Sequence, residues 1–191
     1  MTNVNEKNVA KTVSFKEETI NHVLTKINDL IGSGQLVLQP NYSAANALQA
    51  AWFKLIEIPK GKDKPLIELC TKSSIANALF KMVADGLNPG KNQVYFIPYG
   101  TKLECQRSYQ GSIALAKRHG KLEKIAANVI YEGDDFSFDI DIESGCKKIK
   151  NHSSSITNIG GKIIGAYAVC VLEDGTSFAE IMSIGQIQKA W

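Results

Sequence analysis

The feature that most constrains this chain is a change of hydrophobic period at Gly86. Before it, apolar residues recur every three or four positions, as a helix with one buried face requires. After it come short runs rich in β-branched and aromatic residues, cut by turn residues. Helical period first and strand period second give an α+β class. Of the 191 residues, 44% are hydrophobic. A chain of this length buries roughly 70% of its unfolded surface and needs no metal or disulfide to hold together.

Residues 1–13 read as a flexible arm. Ser14 and Glu17 have the spacing of a capping box, in which each side chain satisfies the other's backbone amide. Ile20, Val23, Leu24, Ile27, Leu30 and Ile31 follow at helical spacing, and Gly32-Ser33-Gly34 ends the pattern. A second helix is expected over 43–57, before Pro59, then a charged loop at 61–65. Ile75, Leu79, Met82 and Val83 mark a third helix, closed by Asp85-Gly86. Beyond it, strands over 93–97 and 102–106 flank a turn at 98–101, and 108–119 has helical spacing. Strands are then expected at 125–131, 136–142, 163–171 and 177–182, with 147–150 a candidate further strand. The predicted architecture is N-terminal helices, a β-hairpin, a central basic helix and an antiparallel β-meander, forming one α+β domain over 14–191. A new helix opens at Ile184 and the chain stops at Trp191, so a missing C-terminal portion is expected.

No run of about 18 apolar residues offers a membrane-spanning helix. The polar N-terminus lacks the apolar stretch of a secretory signal, so a cytoplasmic protein without membrane contact is expected. Cys70, Cys105, Cys146 and Cys170 lie far apart, with no Cys-x-x-Cys pair, and read as free thiols rather than zinc ligands. No phosphate-cradling Gly-x-x-x-x-Gly-Lys run and no Gly-x-Ser-x-Gly elbow occurs. His22, His119 and His152 are scattered and read as surface histidines. Neither a cofactor nor a catalytic site is expected.

The net charge is +3, with the charges in blocks. Six basic and two acidic residues lie between Lys102 and Lys124, six acidic and no basic between Glu132 and Glu143, and four lysines without an acid between Cys146 and Lys162. Such blocks suggest separate surfaces. On a helical wheel Arg107, Gly111, Ala114 and Arg118 share a side, flanked by Gln110 and Lys117. Long cationic side chains would rim a floor of small residues there, a fit for phosphates, which Arg grips as a fork and Lys as a point charge. A merely solvated helix face is the competing reading, and Lys102 and Lys121 extend the basic region toward polyanion binding. Lys147, Lys148 and Lys150 form a second basic cluster, readable as phosphate contacts or as protection of an edge strand.

In the acidic block, Asp139, Asp141 and Glu143 alternate with Ile140 and Ile142. A Mg²⁺ site of a nuclease is one reading. A wet strand face, or a face meeting a neighbouring subunit's basic block, is the other. No Asp or Glu precedes a Lys by two positions anywhere in the chain, which argues against a restriction-like nuclease. A third possibility is an interaction module whose basic helix docks an acidic partner. Tyr95, Tyr99 and Tyr109 have the aromatic faces to stack on bases, but their spacing favours core packing.

Gly86-Leu87-Asn88-Pro89, Val94-Tyr95-Phe96-Ile97-Pro98-Tyr99-Gly100 and Arg107-Ser108-Tyr109-Gln110-Gly111 together resemble the RecT family of single-strand annealing proteins. Val129-Ile130-Tyr131-Glu132-Gly133-Asp134-Asp135-Phe136 and Gly165-Ala166-Tyr167-Ala168 resemble later signatures, in order. The resemblance runs from about Ser74 to Trp191. It implies an ATP-independent phage or prophage recombinase whose core is similar to that of the eukaryotic annealing proteins. Such a protein oligomerises as rings or helical filaments on single-stranded DNA, pairs complementary strands and retains the annealed duplex. The implied partners are an exonuclease and a host single-strand-binding protein. Arg107, Gln110, Lys117 and Arg118 match the family's DNA-contacting segment. The expected nucleic-acid-binding set is Lys102, Arg107, Gln110, Gly111, Lys117, Arg118, Lys121, Lys147 and Lys148.

Overall fold

The computed structural model describes residues 3–190, with side chains from Ser14 onward. The fold is α+β, as the change of period predicts: helices come first, followed by antiparallel sheets. The chain divides into two compact units, Met1–Ala114 and Leu115–Trp191.

The first unit opens with α1 (Asn3–Gly32). The stretch read as an arm is thus helical from Asn3, and Met1 and Thr2 lie outside the described residues. Ser14 starts no helix either: its hydroxyl donates to Glu18 one turn on (3.2 Å). The capping pattern is overridden because no glycine or proline interrupts residues 3–14, so the helix runs through it. Ile20, Val23 and Ile27 of α1 are buried. Helix α2 (Ala44–Ile56) begins where expected, with the Ser43 hydroxyl accepting from the Asn46 amide, and buries Ala47, Leu48, Ala51, Trp52 and Leu55. The one-turn α3 (Leu66–Leu69) was not foreseen. Helix α4 (Lys72–Ala84) is capped by Thr71 and buries Ile75, Leu79, Met82 and Val83.

A 3-10 turn, Pro89–Lys91, leads into the hairpin β1 (Val94–Tyr99) and β2 (Lys102–Arg107). The turn is tighter than expected, because Tyr99 already pairs with Lys102 and Gly100 takes φ +61°. Val94, Leu103 and Cys105 form the hairpin's buried side. Helix α4 is stitched to β2 by polar contacts. The Ser74 hydroxyl accepts from the Leu103 amide (3.1 Å), and the Lys81 ammonium donates to the Cys105 carbonyl (3.4 Å). Helix α5 (Tyr109–His119) follows, and the division into units falls within it.

The second unit holds β3 (Leu122–Tyr131), β4 (Asp135–Ile140), β5 (Lys147–Ser153), β6 (Ile163–Leu172), β7 (Ser177–Ser183) and the short α6 (Ile184–Ala190). The strands are antiparallel but do not follow a meander, being ordered β3-β6-β7-β5-β4. Two hairpins, β4–β5 and β6–β7, join through the single pair Lys147↔Ala179, and β3 adds to β6. Alternation in a sequence fixes which face a residue takes, not which strand lies beside it.

Candidate nucleic-acid interface

The basic segment divides between strand and helix. Arg107 is the last residue of β2, not part of the helix, and its side chain is exposed. Ser108 then acts as the cap: its buried hydroxyl donates to the Asn92 carbonyl (2.6 Å) and accepts from the Gly111 amide (3.0 Å). This clamp decides what Gly111 does. A Cβ on Gly111 would lie 2.1 Å from the Gln93 carbonyl oxygen and 2.8 Å from Arg107 Cγ. Gly111 is therefore the point where α5 closes on the chain entering β1. The reading of it as an open floor beneath a ligand is corrected: the space is filled by backbone.

The remaining candidates sort by their neighbours. Within the first unit Gln110 is half-buried and donates to the Tyr109 hydroxyl (3.3 Å). Lys102 pairs with Glu104 (2.5 Å), whose carboxyl it draws below the usual range through their hydrogen bond. In the second unit Lys117 and Lys121 are exposed and Arg118 half-buried. Lys121 takes a positive φ of +53° in the link to β3. Among the described residues, Arg107, Lys117 and Lys121 form no ion pair.

The second lysine cluster is different. Lys147 pairs with Glu180 (2.6 Å), Lys148 with Asp141 (2.6 Å), Lys150 with Asp139 (2.5 Å) and Lys162 with Glu132 (2.7 Å). The acidic and basic blocks are thus not separate surfaces. The β4–β5 hairpin folds one onto the other, with Asp139 directly opposite Lys148. Hydrogen bonds from Lys148 and the Ser144 amide push Asp141 down to about 2, and the same contact raises Lys148. This arrangement weakens the nuclease alternative, because Asp139 and Asp141 already hold lysines. Among the described residues, no group of three or more His, Cys, Asp or Glu side chains is placed to hold a metal ion.

Two features were missed in the sequence. Tyr95, Tyr99 and Tyr109 are not core residues: they are 52%, 55% and 71% exposed. Tyr95 and Tyr99 share the outer face of the hairpin, opposite Gln106 and Lys102, and Gln106 donates to the Tyr99 hydroxyl (2.7 Å). The signal was present in those polar partners, which mark the face as wet. Nor is His152 a surface histidine. Its ring bonds the Tyr167 hydroxyl (2.9 Å) and Asp134 (3.2 Å), and stands edge-on to Phe136. The Asp134 carboxylate, without solvent exposure, also accepts from Ser154 (2.5 Å), Asn158 (3.0 Å) and the Tyr131 amide (2.8 Å). Those donors, Ser154 foremost, hold its carboxyl well below the usual carboxylate range against the opposing effect of burial.

Comparison with known proteins bears on which chemistry these groups serve. The RecT family model matches residues 54–191. The chain belongs to the RecT family. It is similar to Protein RecT of Escherichia coli (strain K12), at 29% identity over 136 residues, covering 65% of this chain and 48% of that protein. The chain thus spans about half the length of this curated relative. The matched region contains Arg107, the tyrosine face, α5 and the whole second unit. Among the described residues, no helix is long and apolar enough to cross a membrane.

Proposed function

We propose that this RecT-family chain is a single-strand annealing protein that grips DNA by its sugar-phosphate backbone. The observation that carries the reading is the sorting of its cations. Arg107 in the first unit, and Lys117 and Lys121 in the second, are exposed without an ion-paired carboxylate among the described residues, whereas Lys102, Lys147 and Lys148 are engaged. Gln110 in the first unit and Arg118 in the second add to these contacts, each within its own unit, and Gly111 fixes the start of α5 within the first.

Annealing requires base edges free to pair, so binding runs through phosphates, which fix position without reading sequence. Exposed tyrosines suit this role, since a ring stacked on a base leaves its pairing edge open. One subunit touching a few phosphates binds weakly, so tight binding requires a homo-oligomer, a ring or helical filament, that joins these contacts along a strand. Pairing supplies the driving free energy, so ATP is not needed, and the annealed duplex stays on the same backbone contacts. An exonuclease that exposes the strand and a host single-strand-binding protein are the matching partners.

The test is the Arg107→Ala, Lys117→Ala double variant. Each lost phosphate contact removes about 0.7 from the slope of log affinity against log salt for single strands. Titration of a labelled single strand at several salt concentrations is expected to show a slope shallower by about 1.4. The affinity loss is expected to be similar for different sequences. An unchanged slope and affinity would remove these cations from the interface.

A further inference from the structure

We infer that a cleft in the first unit, at the base of the hairpin, is a seat for a single nucleobase of the bound strand. The inference rests on the backbone-binding reading above and adds to it a base-contacting subsite. The cleft has a volume of about 330 Å³, within the usual range of about 300–1,000 Å³ for small-ligand sites. Ile58, Pro59, Pro89, Tyr95 and Phe96 line it, together with Lys54, Lys60 and the acidic Glu57. Tyr95 offers a half-exposed aromatic ring and Ile58 is 60% exposed. The cleft thus combines apolar walls with a half-exposed aromatic residue.

The charge around it fits a nucleotide. Lys60 lies in a turn closed by the Lys62 amide donating to the Pro59 carbonyl (3.0 Å). Gly61 takes φ +77° there, the left-handed conformation that the third position of a type II turn demands. The turn carries Lys60, which lines the cleft, with Lys62 and Lys64 next along the chain. All three are exposed, and none has an ion pair among the described residues, whereas Lys54 is held by Glu57 (3.1 Å). Asp63 is the acid between them. A surplus of cations beside an apolar slot is complementary to a flat base carried on a phosphate.

The other side of the cleft is braced by local hydrogen bonds. The Asn88 side chain accepts from the Gly90 amide (2.8 Å), and the Gln93 side chain accepts from the Asn88 amide (2.9 Å). The 3-10 turn ends at Asn92 in a left-handed conformation, φ +54°. This is the Gly86-to-Asn92 stretch, which the phosphate-gripping residues leave without a role. A base resting on Tyr95 is held by its face, so the seat is sequence-tolerant and keeps the pairing edge available.

The experiment compares the full chain's affinity for a labelled oligothymidylate and for an abasic deoxyribose-phosphate oligomer of equal length. The wild-type chain is expected to prefer the base-bearing strand by about 5- to 150-fold, the range that stacking of one base spans. Tyr95→Ala is expected to lower that preference at least about 5-fold, and Tyr95→Phe to retain it. Lys60→Ala with Lys62→Ala is expected to weaken both oligomers alike. Equal wild-type affinity for the two oligomers, or an undiminished preference in Tyr95→Ala, overturns the seat. If the seat variants bind like wild type while Arg107→Ala, Lys117→Ala loses affinity, the seat falls and the backbone reading stands. If neither oligomer binds the wild-type chain, both fall. Unchanged DNA affinity in Tyr95→Ala with reduced self-association in sedimentation would assign the cleft to a second copy of this chain and overturn the proposal.

Discussion

Gly111 shows how much one absent side chain decides. In a helix, Gly→Ala ordinarily stabilises by about 0.8–1.0 kcal/mol. Here the added Cβ would meet the Gln93 carbonyl oxygen at 2.1 Å. That oxygen cannot retreat cheaply, because it also accepts from the Ser108 amide (3.0 Å). Overpacking of this kind costs about 1–3 kcal/mol, so the two effects oppose and the clash wins. Gly111→Ala is expected to lower the urea midpoint of the first unit, whereas an exposed helical glycine would raise it. A raised midpoint would show that α5 does not close on Gln93. Helical spacing placed Gly111 among cations and suggested a floor, because a wheel contains only one helix. The residue it touches lies 18 positions back, in another element. Tyr95 and Tyr99 misled for the same reason: their own spacing is compatible with burial, and only the polar residues opposite, Gln106 and Lys102, reveal a wet face.

At the scale of elements, the second unit is tied together by its charged hairpin and by Asp134. This carboxylate fastens the β3–β4 turn to Tyr131 at the end of β3, to His152 of β5 and to Ser154 and Asn158 in the segment after β5. Its folded pKa lies below the ordinary value of 3.8. A depressed folded pKa contributes stability that is fully present above the unfolded pKa and is lost as pH falls through the folded one. Comparing urea midpoints of wild type and Asp134→Asn is expected to show a deficit at pH 7 that narrows below about pH 4. A deficit constant from pH 7 to pH 3 would mean that the charge on Asp134 is not what the network uses. Element ends were legible where one residue type makes them. Ser43 caps α2, and Asp85-Gly86 closes α4. The start of α1 was not, since Ser14 and Glu17 resemble a cap wherever they stand, and only the absence of a breaker before them argues for continuation. Both charge blocks were legible as well. Their pairing was not, because it depends on β5 lying beside β4 and β7, and strand order leaves no mark on local alternation.

Across the whole molecule the burial is uneven. The first unit buries apolar side chains from all of its long helices, with Val23, Ile27, Leu48, Leu55, Ile75, Leu79, Met82 and Val83 almost solvent-free. In the second, the buried apolar residues among those described are Leu122, Ile130 and Ala179, while Val129, Ile163, Ile164 and Phe178 remain exposed. Local stability follows buried contacts, so segments with few of them open at lower free energy than the global transition. Hydrogen exchange on the dilute free chain is expected to separate two tiers, with amides of α2 and α4 exchanging slowest. Those of β3–β7 are expected to be less protected by at least about tenfold. Equal protection in both units at the lowest workable concentration would contradict this. On the proposed function the weaker tier has a use, because a ligand that binds only the ordered form stabilises it by mass action. Added single-stranded oligonucleotide is therefore expected to slow exchange across β3–β7 more than in α2 and α4. A shift confined to the helices would place the strand's contacts on the first unit.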